Sequence, residues 1–294
     1  MKKRWPVLIS LLFPLILAQG ASGALLKSVP SRLESPLKKI ALLVLDTGNP
    51  GPVKVGFHIE LAAGWNLYWV NPGDSGLAPN ARWTLPPGFK AGPLRHPVPT
   101  KSVVDGLVSL KHSGQVLLVC EITPPTTGWP EGPWQAVAVF EWMACRESCI
   151  TGETSLKAVF PPNHASLSEG RSLLEGFALR FPRPLSESGL ASGSVRAEWT
   201  GSAWRLEIDL AGPRAAEAGD FFSYPVEGFV VDNSRVACRG GKIVLPLIPF
   251  RGPGAPPPSS VGGVLIAAGA GYEISVPVAS NSFNHRIMSI ASWR

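Results

Sequence analysis

The chain has 294 residues, of which 45% are hydrophobic and 16% are charged, and its formal net charge is +6. Its 31 glycines and 30 prolines indicate many turns, while the apolar content is enough for one large or two ordinary domains. The lysines and arginines are dispersed, without a run of five or more, which argues against binding to nucleic acid or to a membrane surface.

The first 23 residues have the three-part layout of a secretory signal peptide. Basic residues occupy positions 2–4, an apolar run extends from Val7 to Ala18, and small residues follow up to Ala24. The apolar run is shorter than the roughly 20 residues that a membrane span needs. We therefore expect cleavage of residues 1–23 and an exported chain, periplasmic or secreted, without a membrane span after cleavage.

The segment 24–162 is predicted to form a first β-sandwich domain. Apolar and polar residues alternate from Val53 to Leu61 and from Trp134 to Trp142, the period-two pattern of half-buried strands. An apolar run from Val116 to Ile122 is suited to a central strand. Turns rich in proline and glycine separate these segments.

A change of pattern after the first domain predicts a helical connector at residues 163–190. Between Ser168 and Phe181 the apolar residues recur at intervals of three and four, which indicates one short helix.

Strand patterns then resume and predict a second β-sandwich over residues 191–280, followed by a C-terminal tail at 281–294. Alternation is clear from Trp204 to Leu210, and further strands are expected at Lys242–Leu247 and Tyr272–Val278. Short strands separated by turn signals are typical of immunoglobulin-like folds. The predicted fold class is therefore all-β, with two immunoglobulin-like β-sandwich domains and a short connecting helix.

Cys145 and Cys149 form the pattern with the clearest chemical meaning. They lie at the end of a predicted strand, where a tight turn can bring them within disulfide distance. So short a loop constrains little unfolded-chain entropy, less than the roughly 3 kcal/mol expected for a 15-residue loop. Arg146 favours a reactive thiolate, whereas Glu141 and Glu147 oppose it. The pair is our candidate catalytic site, a disulfide that opens and closes.

Two other interpretations of this pair stay open. The bond between Cys145 and Cys149 can be a fixed strut in a non-catalytic binding protein. The thioether of Met143 beside two thiolates also suits capture of Cu(I). Because no further histidine or cysteine lies nearby at ligand spacing, we expect neither a metal nor a cofactor.

The remaining cysteines and histidines show no site pattern. Cys120 lies in an apolar strand, where a buried free thiol is expected. Cys238 lies in the second predicted domain and is either unpaired or engaged in an intermolecular bond. The five histidines are scattered and are interpreted as surface or loop residues: His58, His96, His112, His164 and His285.

An aromatic run at Trp65, Tyr68 and Trp69 admits two interpretations. Such side chains can form a platform for sugars, but they more often fill a sandwich core. No glycine-rich phosphate loop and no Gly-x-Ser-x-Gly motif is present, so nucleotide-dependent and hydrolase chemistry are not expected.

Several motifs in order resemble the family of N-terminal domains of the thiol:disulfide interchange protein DsbD, most closely its ScsB-like branch. The matching segments are Trp65–Pro79, Ala81–Phe89, Val116–Leu118, Ile122–Pro124 and Trp142-x-x-Cys145-x-x-x-Cys149-Ile150. Several motifs in the right order are more specific than a lone cysteine pair.

The resemblance implies an immunoglobulin-like domain that exchanges electrons with periplasmic thiol:disulfide oxidoreductases, a thiol:disulfide oxidoreductase activity of the protein-disulfide reductase type, and a link to cytochrome c biogenesis. It assigns partner exchange to Cys149 and resolution of the mixed disulfide to Cys145. Full-length members continue into a membrane domain and a thioredoxin-like domain, which this sequence does not show. We therefore expect a separately encoded membrane electron donor. Thr151 also stands where the family pattern has proline.

Overall fold

A computed structural model describes residues 35–48, 51–130, 132–162 and 164–278 of the chain. The predicted signal peptide, residues 1–23, and the predicted C-terminal tail, residues 281–294, lie outside the described residues.

The first half of the chain folds into two facing antiparallel sheets. One sheet has the strand order β1-β2-β8-β5; the other has the order β10-β9-β3-β7-β6, with β4 also paired to β9. The ten strands are β1 Leu37–Asp46, β2 Val53–Leu61, β3 Asn66–Gly73, β4 Asn80–Thr84, β5 Lys90–Ala91, β6 Thr100–Val104, β7 Leu107–Ser113, β8 Gln115–Thr123, β9 Trp134–Cys145 and β10 Cys149–Phe160.

The core of this sandwich follows from the alternation in the sequence. In β2 the apolar side chains point inward and the intervening polar ones are partly exposed, as predicted for Val53–Leu61. Phe57 of β2 stacks on Phe140 of the facing sheet, with ring centroids 4.7 Å apart. The run predicted as a central strand is β8, which pairs with both β2 and β5.

A single α-helix in the described residues, α1 His164–Phe177, follows the first sandwich and continues as a 3-10 turn at Ala178–Arg180. The helix therefore begins earlier than the predicted Ser168. Its Phe177 belongs to the same apolar cluster as Leu45 of β1. Gly170 approaches β1 so closely that an added Cβ would lie 2.0 Å from the Val44 carbonyl oxygen. The helix is thus a covering layer of the first sandwich as well as a connection. None of the helices in the described residues has the length and apolar character needed to cross a membrane.

The second half forms another pair of sheets, with orders β11-β19-β18-β14 and β12-β13-β17-β15, and β16 also on β17. All pairings are antiparallel except β11 with β19. The nine strands are β11 Arg183–Pro184, β12 Ala191–Trp199, β13 Trp204–Ala211, β14 Ala218–Ser223, β15 Phe229–Val231, β16 Ala237–Arg239, β17 Lys242–Pro249, β18 Ser260–Ala267 and β19 Ala270–Pro277.

The prediction of an all-β chain with two sandwiches and one short helix is confirmed. The boundaries drawn from the sequence remain predictions, although β11 lies inside the predicted connector and already belongs to a sheet of the second sandwich.

The two sandwiches share a small apolar core. Trp69 of β3 is 1% exposed and its ring stacks on Tyr224, with ring centroids 5.3 Å apart. Val108 and Leu110 of β7 belong to the same cluster as Phe222 of the second sandwich. Both sandwiches fall within one compact unit that starts at Ser35.

The aromatic run of the sequence is buried. Trp65, Tyr68 and Trp69 are 4%, 7% and 1% exposed, so they offer no platform for a sugar. Of the two interpretations of this run, the structure supports packing.

His96 lies in a loop, as expected, whereas His112 lies in β7, so the expectation that all histidines are surface or loop residues is wrong for His112. Both histidines are buried. They are 6% and 7% exposed, and their rings lie 5.9 Å apart between centroids. Burial lowers the pKa of His112 to about 4; burial, and then the neighbouring His112, lower the pKa of His96 to about 3. His58 is half-buried in β2, His164 is exposed, and His285 lies outside the described residues.

These two buried imidazoles predict that stability falls with pH below about 6.5, the usual pKa of histidine in an unfolded chain. Between about pH 6.5 and pH 4 the unfolded state binds protons at these histidines and the folded state does not. The free energy of unfolding is therefore highest above about pH 6.5 and decreases as the pH falls toward 4. Urea unfolding at pH 7.5 and pH 5 should show this loss. His112→Phe should reduce the difference between the two pH values, whereas the exposed His164→Gln should preserve it. An identical loss in wild type and His112→Phe would contradict the prediction.

Candidate functional site

The hairpin of β9 and β10 holds the cysteine pair. Cys145 is the last residue of β9 and Cys149 the first of β10, and the two are direct partners in the antiparallel register. The loop between them is closed by a hydrogen bond from the Arg146 backbone N–H to the Ser148 carbonyl, 3.0 Å. Because partners in register project to the same face, the two sulfurs meet. They form a disulfide, with Cα atoms 4.1 Å apart.

The two sulfur-bearing residues differ in exposure. Cys145 is only 9% exposed, whereas Cys149 is exposed to solvent. A nucleophile in solution therefore has access to Cys149 and little access to Cys145. This asymmetry is the property needed for one cysteine to meet partners and the other to resolve the intermediate.

Arg146 directly follows Cys145 in the loop of the hairpin. Its guanidinium carbon stands 5.3 Å from the centroid of the buried Trp65 ring. Gly64, at φ +80°, leaves room for the arginine stem, because a Cβ there would lie 3.0 Å from Arg146 Cδ. A guanidinium next to a cysteine favours the thiolate after reduction.

The two glutamates expected to oppose this effect, Glu141 and Glu147, have different surroundings. Glu141 is paired with Arg82, which also bonds Glu153 at 2.9 Å, and Glu141 accepts a further bond from Asn80 at 2.9 Å. The carboxylate of Glu141 is thus offset by a neighbouring cation, which the sequence alone did not indicate. Glu147 stays exposed in the hairpin loop.

The hairpin end is tied to the rest of its sheet by Asn66. This residue is the register partner of Cys145 in β3, and its side-chain N–H2 donates to the Cys145 carbonyl at 3.4 Å and to the Gly64 carbonyl at 3.1 Å. Asn66 lies inside the motif Trp65–Pro79, but nothing in the sequence pattern singled it out as a neighbour of the cysteines.

Trp142 of β9 packs across the hairpin onto β10. It is the register partner of Gly152, where an added Cβ would lie 2.4 Å from the indole Cζ2. The indole N–H donates to the Thr154 hydroxyl oxygen at 3.4 Å. The absence of a side chain at Gly152 therefore lets the indole lie flat across the hairpin.

The disulfide lies on the outer face of its sheet. The register partners Leu67 and Ala144 face the core, so Asn66 and Cys145, each one residue away, face outward. Tyr68 shares that outward face and is the diagonal neighbour of Cys145, a relation that places two residues about 7–8 Å apart. Tyr68 is nevertheless only 7% exposed, so another part of the chain covers it.

The other two cysteines are free and buried, as predicted for Cys120. Burial raises the pKa of the Cys120 thiol to about 11 and that of the Cys238 thiol to about 11. Cys238 is 4% exposed in the core of the second sandwich, which leaves its sulfur little access to an intermolecular bond.

The described residues contain no group of three or more histidine, cysteine, aspartate or glutamate side chains that could hold a metal ion. Met143 is half-buried in β9, two residues before Cys145.

Residues 36–161 match the family model of the N-terminal domain of the thiol:disulfide interchange protein DsbD. This segment belongs to the DsbD N-terminal domain family. It contains both cysteines of the hairpin, and membership supports a thiol:disulfide interchange module. No curated protein matches the chain.

Among solved structures, the N-terminal periplasmic domain of ScsB from Proteus mirabilis shares the fold. The TM-score is 0.56 at 20% identity, over 80% of this chain and 90% of that domain. The likeness therefore extends beyond the family segment into the second sandwich. The YadV chaperone and the periplasmic chaperone SfaE are 12% identical and cover 81% of this chain and 99% and 98% of their own, but their TM-scores are only 0.22.

The buried state of Cys120 and Cys238 predicts slow alkylation of both thiols in the native protein. At pH 8 a thiol whose pKa is near 11 is only about one part in a thousand thiolate, and burial also blocks the reagent. Mass spectrometry should show fast labelling of both in urea. Cys149 of the reduced protein is the internal control and should react quickly under native conditions. Rapid native labelling of Cys120, or its presence in a disulfide, would overturn this assignment.

Proposed function

We propose that this protein is an exported thiol:disulfide exchange module that passes electron pairs through Cys145 and Cys149. The observation that carries the proposal is a disulfide at a hairpin end with one exposed and one buried cysteine, inside a segment of the DsbD N-terminal family. The small entropic contribution of so short a loop supports an exchanging bond over a stabilising one.

The exchange step begins at Cys149. A thiolate of an electron-donating dithiol protein attacks the Cys149 sulfur, and the bond to Cys145 breaks with its electron pair left on Cys145 as a thiolate. The donor and Cys149 are then joined in a mixed disulfide. The donor's second thiolate attacks its own mixed-disulfide sulfur and releases Cys149. The donor ends as a disulfide, and the pair here ends as a dithiol that takes up protons from water.

Electron delivery to an acceptor is the reverse sequence. The Cys149 thiolate attacks the acceptor's disulfide, and Cys145 then resolves the mixed disulfide, so that the acceptor leaves as a dithiol. Arg146 stabilises thiolate character next to the pair during both steps. The low exposure of Cys145 supports its role as the resolving sulfur, because a partner cannot easily reach it first.

The partners that fit this chemistry are periplasmic thiol:disulfide oxidoreductases or a membrane electron donor encoded separately. The family and the periplasmic origin of the ScsB domain support this location and partner class. The sequence features of residues 1–23 support export. This exchange requires only the two sulfurs, their protons and the thiols of a partner.

Replacing Cys145 with serine should trap the mixed disulfide. Without the resolving thiol, Cys149 stays bonded to its partner, so separation without reductant should show a partner-sized shift that collapses on reduction. Cys149→Ser is the matched control and should trap little, because only the buried sulfur remains. The proteins should be expressed in the exporting cell.

A redox titration of the purified wild-type protein distinguishes an exchanging disulfide from a permanent structural disulfide. An exchanging pair should have a reduction potential above about −300 mV, whereas structural disulfides lie below that value. The proposal fails if neither variant forms an adduct and the wild-type bond also resists reduction by a thioredoxin-like donor. A fixed structural disulfide in a binding protein would then be the better description.

A further inference from the structure

The connection between β3 and β4, residues 74–79, lies over the face that carries the disulfide. Gly76 rests on the Tyr68 ring so closely that an added Cβ would be 2.3 Å from Tyr68 Cζ. Gly76 also has φ +93°, a conformation that favours glycine. This β3–β4 loop is therefore the part of the chain that covers Tyr68, the diagonal neighbour of Cys145.

Asp74 fixes the loop to the first sandwich. Its backbone N–H donates to the Val108 carbonyl at 2.7 Å, and its carboxylate Oδ2 accepts from the Val108 backbone N–H at 2.7 Å. The hydroxyl groups of Ser75 and Ser109 also lie 3.2 Å apart. These bonds hold the start of the loop against β7.

The second sandwich supplies further contacts of this segment. The Asn233 side-chain N–H2 donates to the other carboxylate oxygen of Asp74 at 3.3 Å and to the Val231 carbonyl at 3.1 Å. Asn71, just before the loop, donates to the Ser223 carbonyl at 2.9 Å and to Asn233 Oδ1 at 3.4 Å. Asn71 and Asn233 are each 7% exposed, so water cannot readily replace these bonds.

We propose that Asn233 of the second sandwich is a positioning residue that holds the β3–β4 loop over Tyr68 and thereby shields the Cys145 sulfur. By strand alternation Cys145 faces outward, yet it is only 9% exposed, so its cover must come from the outer face. In this proposal the loop and Tyr68 provide that cover, because Gly76 rests on the Tyr68 ring and Tyr68 is the diagonal neighbour of Cys145. Asn233 then ties the loop to the second sandwich. Loss of the Asn233 amide leaves Asp74 and Asn71 each without one of their bonds.

The biological role of this shielding rests on the proposed exchange function. By covering Cys145, the second sandwich would direct partners to Cys149. The physical claim concerns only access to one sulfur. It can therefore be tested without any redox partner, and its failure is distinguishable from failure of the exchange proposal.

The test measures alkylation of Cys145 by iodoacetamide in a Cys149→Ser background, with mass spectrometry of the Cys145 peptide. In this background Cys145 should react slowly. Adding Asn233→Ala should accelerate the reaction by about two- to tenfold, the change expected when one hydrogen bond no longer favours the closed loop. Adding Gly76→Ala, which forces a methyl group into the Tyr68 ring, should accelerate it as well.

Lys101→Ala is the matched control at the junction between the sandwiches. It removes the ion pair between Lys101 and Asp220, 3.2 Å, without touching the loop, and it should leave the Cys145 rate unchanged. Thermal unfolding by circular dichroism checks that each variant is folded at the labelling temperature. The replacement Asn233→Ser keeps a shorter hydrogen-bonding side chain at this position, so it should accelerate the reaction less than Asn233→Ala does.

Two outcomes would overturn the inference. If Asn233→Ala and Gly76→Ala both leave the rate at its starting value, the loop does not shield Cys145. If only Gly76→Ala raises it, the loop shields the sulfur but Asn233 does not position the loop. Neither outcome affects the exchange proposal, which depends on trapping through Cys149.

Discussion

The antiparallel register of β9 and β10 is the constraint on which the site depends. It makes Cys145 and Cys149 direct partners across the hairpin. The pairing of the two strands therefore already brings the two sulfurs within bonding distance. A slip of one residue would place the two side chains on opposite faces of the sheet. Trp142 lying across Gly152 and Asn66 bonded to the Cys145 carbonyl both hold this register from neighbouring positions.

Strand alternation then determines which face carries the chemistry. The inward residues of β9 join a core with β2 and β8, and the outward residues leave the disulfide on the other side of the sheet. An outward position would ordinarily expose both cysteines. Instead Cys145 is buried and Cys149 is not, so the covering of the outer face, and not the sandwich core, creates the asymmetry between the two sulfurs.

Much of the architecture was predictable because it depends on local pattern. The strands at Val53–Leu61 and Trp204–Leu210 follow from alternation, and the cysteine pair follows from spacing at a strand end. The burial of His112 continues the alternation of Val108 and Leu110 in β7. The burial of His96 was not predictable, because this residue lies in a loop without periodicity and is buried only by tertiary packing. The same holds for Asp74 and Asn233, which are distant in sequence and meet only once both sandwiches are folded.

A protein that exchanges disulfides must also prevent exchange with its own thiols. Cys120 and Cys238 are free, yet burial raises the pKa of each to about 11. At pH 7 only about one such thiol in ten thousand is the reactive thiolate. Each is also enclosed in the core of a different sandwich, whereas the disulfide lies on the outer face of the β9–β10 hairpin. In the proposed exchange, reactivity is thereby confined to the pair that includes the exposed Cys149, and the oxidised hairpin is protected from rearrangement.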